Sequence, residues 1–300
     1  MAAPTPLQPA PFSLAPGRNV YLKREDLHEL GAFKWRGALP TLESFLEQGA
    51  STVVTASTGN QGTATAWAAQ RVGLEAVIFA PLSTSGAKRA MLERLGADLR
   101  LTGNDFDEAK DEAVRFAEEH GFAFFGDGAE AVQYEAYREI GEEILDQAPA
   151  PPAAVVVPVG NGALAVGVGR AIRHLALRIG VVAKGAPVMK LSWEAGEPVE
   201  CDRCATIADG LAVRVAIPMA VEALNGAVDR MVEVSEREIA TAVAAFDTAG
   251  IRVEGAAGAA LAALPQLEDV EGPVVLIVTG RNIDDELLAR CRDDPESFSS

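Results

Sequence analysis

The sequence predicts an α/β fold of two lobes, each an open, mostly parallel sheet covered by helices. Short apolar, β-branched runs alternate with longer helical patterns along the chain, as in parallel α/β proteins. Those runs are nearly uninterrupted rather than alternating, which suits strands covered on both faces. Several of them end in glycine or small residues that lead into a helix, where open α/β sheets bind ligands.

In chain order, residues 1 to about 18 are Pro-rich and read as an irregular lead-in. Strands are expected at 20–23, 52–56, 74–80, 97–101, 122–125, 154–159, 179–183, 231–234 and 274–278. Between them, helical patterns fall at 35–47, 61–71, 87–95, 105–120, 134–145, 164–176, 236–249 and 256–264. Residues 51 to about 127 form a compact set of about four strands with helices between them, and the Pro/Ala run at 148–153 is a clear break after it. The expected organisation is a smaller domain at 45–130, inserted in a larger one built from 1–44 and 131–300. No internal repeat and no heptad run is present.

Composition excludes several functions. The 300 residues carry 43 acidic against 26 basic side chains, a net charge of −17, which repels nucleic acid and anionic membrane. No run of about 18 apolar residues marks a membrane helix. The Pro/Ala-rich N-terminus lacks the basic start and apolar core of a signal peptide. Three cysteines make no disulfide framework, so a reducing cytoplasm is the expected compartment.

Chemistry is first suggested by Lys34, set between Phe33 and Trp35 in the stretch 23–38 and just before a helix. A lysine withdrawn from water is a usable amine nucleophile. The plain alternative is a side chain snorkelling over an apolar patch. A second stretch, 157–167, follows an apolar strand and opens a helix; its Gly160, Asn161, Gly162, Ala163 and Leu164 can close on a phosphate. Gly160, Gly162 and Ala165 also match the looser dinucleotide fingerprint, but Lys184 stands where that motif wants an acid. No Lys-Ser or Lys-Thr follows, so it is not a nucleotide P-loop. A bare strand-to-helix turn is the alternative.

A third stretch places Ser57, Thr58, Gly59, Asn60 and Gln61 at another strand-to-helix switch, a cradle for a carboxylate or a ring oxygen. Ordinary N-capping is its plain alternative. Thr279, at the end of the last apolar strand, offers a hydroxyl to a heteroaromatic nitrogen, or is a cap. Glu254 is a lone carboxylate before a very apolar helix, where the helix dipole alone would favour it. Cys201 and Cys204 form a C-x-x-C pair without a second pair or clustered histidines, and read as incidental thiols.

Taken in order, with residues 206–213 (ThrIleAlaAspGlyLeuAlaVal), these stretches resemble the pyridoxal phosphate enzymes of the tryptophan synthase β-subunit fold. The nearest likeness is to the threonine/serine dehydratase and serine racemase branch, and it covers about residues 20–290. The resemblance implies that the cofactor lies in a cleft between the lobes and that Lys34 holds it as a Schiff base, later acting as the base at Cα. It implies Phe33 beside the ring, Asn60 on the 3-hydroxyl oxygen, and Gly160, Asn161, Gly162, Ala163 and Leu164 on the phosphate. Thr279 would meet the pyridine nitrogen, Glu254 would line the ring, and Ser57, Thr58, Gly59, Asn60 and Gln61 would hold the substrate carboxylate. It further implies a homodimer.

The implied activity is an ammonia-lyase that eliminates the β-hydroxyl of a small amino acid such as L-threonine or L-serine, with the cofactor phosphate assisting the leaving hydroxyl. The chain departs from the family at several positions. Gln61 replaces the usual His after Gly-Asn, and Asn161 and Ala163 stand where glycines are common. Thr58 occupies the place of the serine that racemases use as a second base, which ranks racemisation below elimination. Lys184 replaces a metal-site Glu, so no metal is expected. A threonine synthase-like enzyme, an amino-acid racemase and a non-catalytic phosphate-ligand-binding member are the alternatives.

Overall fold

The computed structural model describes residues 3–201 and 204–300. Its strands are β1 (Leu7–Pro9), β2 (Val20–Arg24), β3 (Thr52–Ala56), β4 (Glu75–Ala80), β5 (Asp98–Leu101), β6 (Ala123–Phe124), β7 (Ala154–Pro158), β8 (Leu177–Ala183), β9 (Arg230–Val234) and β10 (Val274–Val278). They form a six-stranded sheet of order β1-β2-β10-β7-β8-β9 and a four-stranded sheet of order β5-β4-β3-β6. Every pairing is parallel except β1 with β2. The fold is α/β, with parallel sheets covered by helices.

Two compact units follow the two sheets. One comprises Met1–Phe33 with Tyr137–Ser300, the other Lys34–Ala136, so the division falls at the peptide bond between Phe33 and Lys34. In the first unit all residues of β7 and β10 are buried. Both are central strands covered on two faces, which is why they read as unbroken Val/Leu/Ile runs. Helices Glu236–Thr248 and Gly255–Ala262 pack there through Ile239, Val243, Phe246 and an almost unbroken set of alanines. Ser235 and Glu238 start the former with a reciprocal capping box. In the second unit the core under β3 and β4 is Val54, Val77 and Phe79 against Ala113 and Ala117 of helix Phe106–His120.

The lead-in is not wholly irregular. Leu7–Pro9 pairs antiparallel with β2 in the register Leu7 to Lys23. A three-residue edge strand ending in proline carries no periodic signal, and proline is tolerated there because an edge N–H needs no partner. Helices Val188–Ala195, Pro218–Leu224 and Asp285–Asp293 were not expected either. The first two run only 8 and 7 residues, too short for a 3.6 period to declare itself. The third buries only Leu288 and Cys291. The helix expected at 164–176 ends at Ile172, where Arg173 turns to φ 50°.

Candidate functional site

In the unit Lys34–Ala136, Lys34 caps the start of helix Trp35–Glu47, and its carbonyl accepts from the Ala38 N–H at 3.0 Å. The side chain is mostly buried, but it does not stand among apolar groups alone. Its Nζ donates to both carboxylate oxygens of Asp127, at 2.5 and 2.6 Å. Trp35 packs edge-on against Trp67 of helix Asn60–Val72, with centroids 6.3 Å apart. The helix that follows Lys34 is thereby locked to the helix that follows the Ser57–Gln61 turn.

That turn leaves the C-terminal end of β3. Ser57 accepts from the Gly59 N–H at 3.2 Å, and no side chain caps the helix, whose N-cap is Gly59 itself. Ordinary Ser/Thr capping is therefore not what occupies this hydroxyl-rich turn. Thr58, Gly59 and Asn60 are half-buried, while Gln61 is only 5% exposed. Both amide atoms of Gln61 lack a hydrogen-bond partner. An unsatisfied buried amide costs about 1–3 kcal/mol, so its retention at this turn points to a ligand that completes it.

In the unit Met1–Phe33 with Tyr137–Ser300, the glycine loop leaves the end of β7. Gly162, at φ 93°, is the N-cap of helix Ala163–Ile172, again with no side-chain cap. Gly160 and Asn161 are half-buried; Gly162, Ala163 and Leu164 are buried. A Cβ at Gly160 would lie 2.2 Å from the Gly210 carbonyl oxygen, so the segment 206–211 packs backbone-to-backbone on the loop. Glu236 holds that segment, accepting from the Ile207 N–H at 2.7 Å and the Thr206 hydroxyl at 3.1 Å. Burial raises the Glu236 carboxyl above the ordinary range, partly offset by the bonds from Ile207 and Thr206.

Glu254 sits at the N-cap of helix Gly255–Ala262 without capping it. Its carboxylate instead accepts from the Thr279 hydroxyl at 2.9 Å, and both residues are buried. Dipole stabilisation alone does not explain a carboxylate turned away from its helix. Phe33 is tied to the same place, its N–H donating to the Thr279 carbonyl at 3.0 Å, and its ring packs edge-on against Tyr137 at 5.0 Å. Phe33, Gly160–Leu164, Glu254 and Thr279 thus lie in one unit, and Lys34 and Ser57–Gln61 in the other.

Sequence reasoning passed over Asp127 and Glu236, and it gave Gly210 and Gly280 no role of their own within the stretches that contain them. The turn signal Gly-Asp-Gly at 126–128, right after an apolar run, was available for Asp127. Nothing local marks the others. Lys184 donates to the Ser300 backbone oxygen at 3.2 Å. Among the described residues no cluster of His, Cys, Asp and Glu could hold a metal ion. The middle of the Cys201/Cys204 pair, residues 202 and 203, lies outside the described residues, and the three cysteines form no disulfide. No described helix is long and apolar enough to cross a membrane. A cavity of about 770 Å³ opens at the opposite, N-terminal ends of β3, β4 and β5, lined by Thr52, Glu75, Asp98 and His120, and includes none of the site residues.

A family model described as pyridoxal-phosphate dependent enzyme matches residues 1–280. The chain belongs to this family. It is 36% identical over 280 residues to the L-threonine ammonia-lyase of Geobacter sulfurreducens, covering 91% of this chain and 69% of that protein. It is 35% identical to the L-threonine ammonia-lyase of Thermotoga maritima, covering 91% and 70%. Among solved structures, the processed form of threonine deaminase isoform 2 from Solanum lycopersicum superposes with a TM-score of 0.90 at 30% identity, over 96% of this chain and 87% of that one. Maize serine racemase gives 0.87 at 25% identity, over 96% and 91%.

The residues of this pyridoxal-phosphate dependent enzyme fit its cofactor. One unit holds the Lys34 amine and a turn that keeps an orphaned amide at Gln61, and one helix start in each unit, at Gly59 and at Gly162, presents N–H groups that no side chain caps. Uncapped helix starts favour anions, the phosphate and carboxylates among them.

Proposed function

We propose that this chain is a pyridoxal phosphate-dependent ammonia-lyase that removes the β-hydroxyl of a small β-hydroxy amino acid, L-threonine or L-serine, to give a 2-oxo acid and ammonia. The observation that carries the reading is Lys34. Its amine and the Ser57–Gln61 turn belong to one compact unit, with the Gln61 amide buried and unpartnered. Similarity to two L-threonine ammonia-lyases over 91% of the chain supports the same reaction class.

Bound pyridoxal phosphate supplies an electron sink for the pair left when a proton leaves the substrate Cα. Gly160, Asn161, Gly162, Ala163 and Leu164 would hold its phosphate at the start of helix Ala163–Ile172. Phe33 and Glu254 would flank the ring, Asn60 would meet the 3-hydroxyl oxygen, and Thr279 would face the pyridine nitrogen. Ser57, Thr58, Gly59, Asn60 and Gln61 would orient the substrate carboxylate, using the helix start and the amide of Gln61. Lys34 Nζ takes the Cα proton; the Cβ–O bond breaks, and the departing hydroxide leaves as water once protonated. The enamine released hydrolyses to the 2-oxo acid and ammonia.

We further infer a division of labour, with residues 1–44 and 131–300 as the cofactor-binding domain and 45–130 as a smaller inserted domain. A homodimer in a reducing cytoplasm is the expected working form, on the family resemblance and the absence of disulfides. The deciding experiment measures pyruvate and 2-oxobutyrate released from L-serine and L-threonine by the cofactor-loaded protein, beside Lys34→Ala. Borohydride should bleach the visible absorbance and leave cofactor mass on Lys34. A Lys34→Ala protein that kept full lyase activity would overturn the assignment.

A further inference from the structure

Glu236 takes no part in the chemistry described so far, yet its carboxylate is buried and serves a segment other than its own helix. That helix, Glu236–Thr248, is already capped by Ser235 and Glu238, so its start does not call on Glu236. The carboxylate reaches a residue 29 positions earlier in the chain. One of its oxygens accepts from both the Ile207 N–H and the Thr206 hydroxyl, and the Thr206 oxygen accepts in turn from the Ala208 N–H at 3.0 Å. A first-turn acid gains from the helix dipole even when it stays in water. Burying one costs desolvation, which the dipole does not require.

The segment 205–211 crosses the carboxyl edge of the six-stranded sheet. β7, β8 and β9 are parallel neighbours, so the Gly160 loop, the turn at Gly185 and the start of helix Glu236–Thr248 leave that edge side by side. The segment meets all three. Ala205 donates its N–H to the Gly185 carbonyl at 2.9 Å, and a Cβ at Gly185 would collide with the Ala205 carbonyl oxygen. Thr206 and Ile207 hang on Glu236. A Cβ at Gly255 would fall 2.7 Å from the Ile207 carbonyl oxygen, and the Gly210 carbonyl closes on Gly160. Ala208 and Leu211 are buried, joined by a bond from the Leu211 N–H to the Ala208 carbonyl at 2.7 Å. Steric contact at the glycines sets how near the segment can come. Directional bonds, those to Glu236 among them, keep it there.

We propose that Glu236 is a positioning residue for the cofactor phosphate: by holding Thr206 and Ile207 it seats Gly210 against Gly160 and fixes the loop Gly160–Leu164 in its phosphate-binding form. The inference rests on the phosphate reading of that loop. It assigns the role through Gly210, not through contact with the reacting atoms.

The test compares the full-length enzyme with Glu236→Ala and Glu236→Gln. Each protein is stripped and reloaded with pyridoxal phosphate and with pyridoxal, which lacks the phosphate, and the ratio of the two dissociation constants isolates the phosphate contribution. The wild type should favour the phosphate ester. In Glu236→Ala that preference should fall by roughly 10- to 100-fold, with pyridoxal affinity nearly unchanged. Glu236→Gln keeps an oxygen for Ile207 and Thr206 and should restore it. The phosphorus NMR resonance of the loaded cofactor should shift or broaden in Glu236→Ala and not in Glu236→Gln. If Glu236→Ala does not fold, Thr206→Val, which leaves the Ile207 bond in place, carries the same comparison with a smaller fall. An unchanged ratio in the variant used, or an equal loss of both ligands, overturns the proposal and leaves the phosphate reading standing. A wild type that holds pyridoxal as tightly as the phosphate ester overturns both.

Discussion

The backbone N–H of Phe33 donates to the carbonyl of Thr279 at 3.0 Å, joining the residue before Lys34 to the end of the last strand of the large sheet. The join is continuous. Ala32 bridges Gly280, Arg281 donates its N–H to the Gly31 carbonyl at 2.8 Å, and the Asn282 amide donates to the Leu30 carbonyl at 2.9 Å. Backbone contacts of this kind leave little freedom at the peptide bond where Lys34 begins its own unit.

Gly280 is a tight point of this region. A Cβ there would fall 2.7–2.9 Å from the atoms of the Glu254 carboxylate. Gly280→Ala should therefore displace Glu254, break its bond from Thr279 and destabilise the protein by about 1–3 kcal/mol. Chemical denaturation checks the stability, and cofactor titration should show weaker uptake. Unchanged values for both would mean that Glu254 has room to move.

Lys23 illustrates a different constraint. It lies in β2, fully buried, with its Nζ on Glu143 at 2.5 Å and on the Thr5 carbonyl at 2.6 Å. Glu143→Ala would take a carboxylate partner from a buried ammonium, at a cost of roughly 3–5 kcal/mol. Pairing it with Lys23→Met should recover most of the loss, and the double-mutant cycle measures the coupling directly.

Glu236 links stability to pH. Its folded-state carboxyl is raised by burial, so the protein holds that proton more tightly folded than unfolded. Stability from this group is complete below the ordinary carboxylate range and is lost as pH rises through the raised folded value. Glu236→Gln keeps an oxygen for Ile207 and Thr206 and removes the titration. Denaturation midpoints of the two proteins should agree in acid and diverge in favour of the variant as pH rises through that window. Parallel curves would exclude the effect.

The three thiols should separate by reactivity. Cys291 is fully buried and its thiol is pushed up to about 11 by that burial, whereas Cys201 and Cys204 are partly exposed. Because the thiolate is the reactive form, a neutral-pH thiol reagent should label Cys201 and Cys204 in the native protein. Cys291 should react only after unfolding, which peptide mapping by mass spectrometry resolves. Native-state labelling of Cys291 would show that its helix opens locally.

By itself the sequence determined the alternation of strand and helix, the two glycine- and hydroxyl-rich turns, and the aromatic-flanked Lys34. These are local signals: a period, a φ that glycine permits, a hydroxyl before a helix. Legible too were the family likeness and the cofactor it implies. Only the tertiary structure decided that Lys34 meets Asp127, that Glu254 turns from its own helix to Thr279, that Gly280 has no room for a Cβ, and that the Gln61 amide is sealed without a partner. Each joins residues far apart in the chain or depends on what surrounds them in space. A one-dimensional pattern records which way a side chain faces, not what it meets when the chain folds.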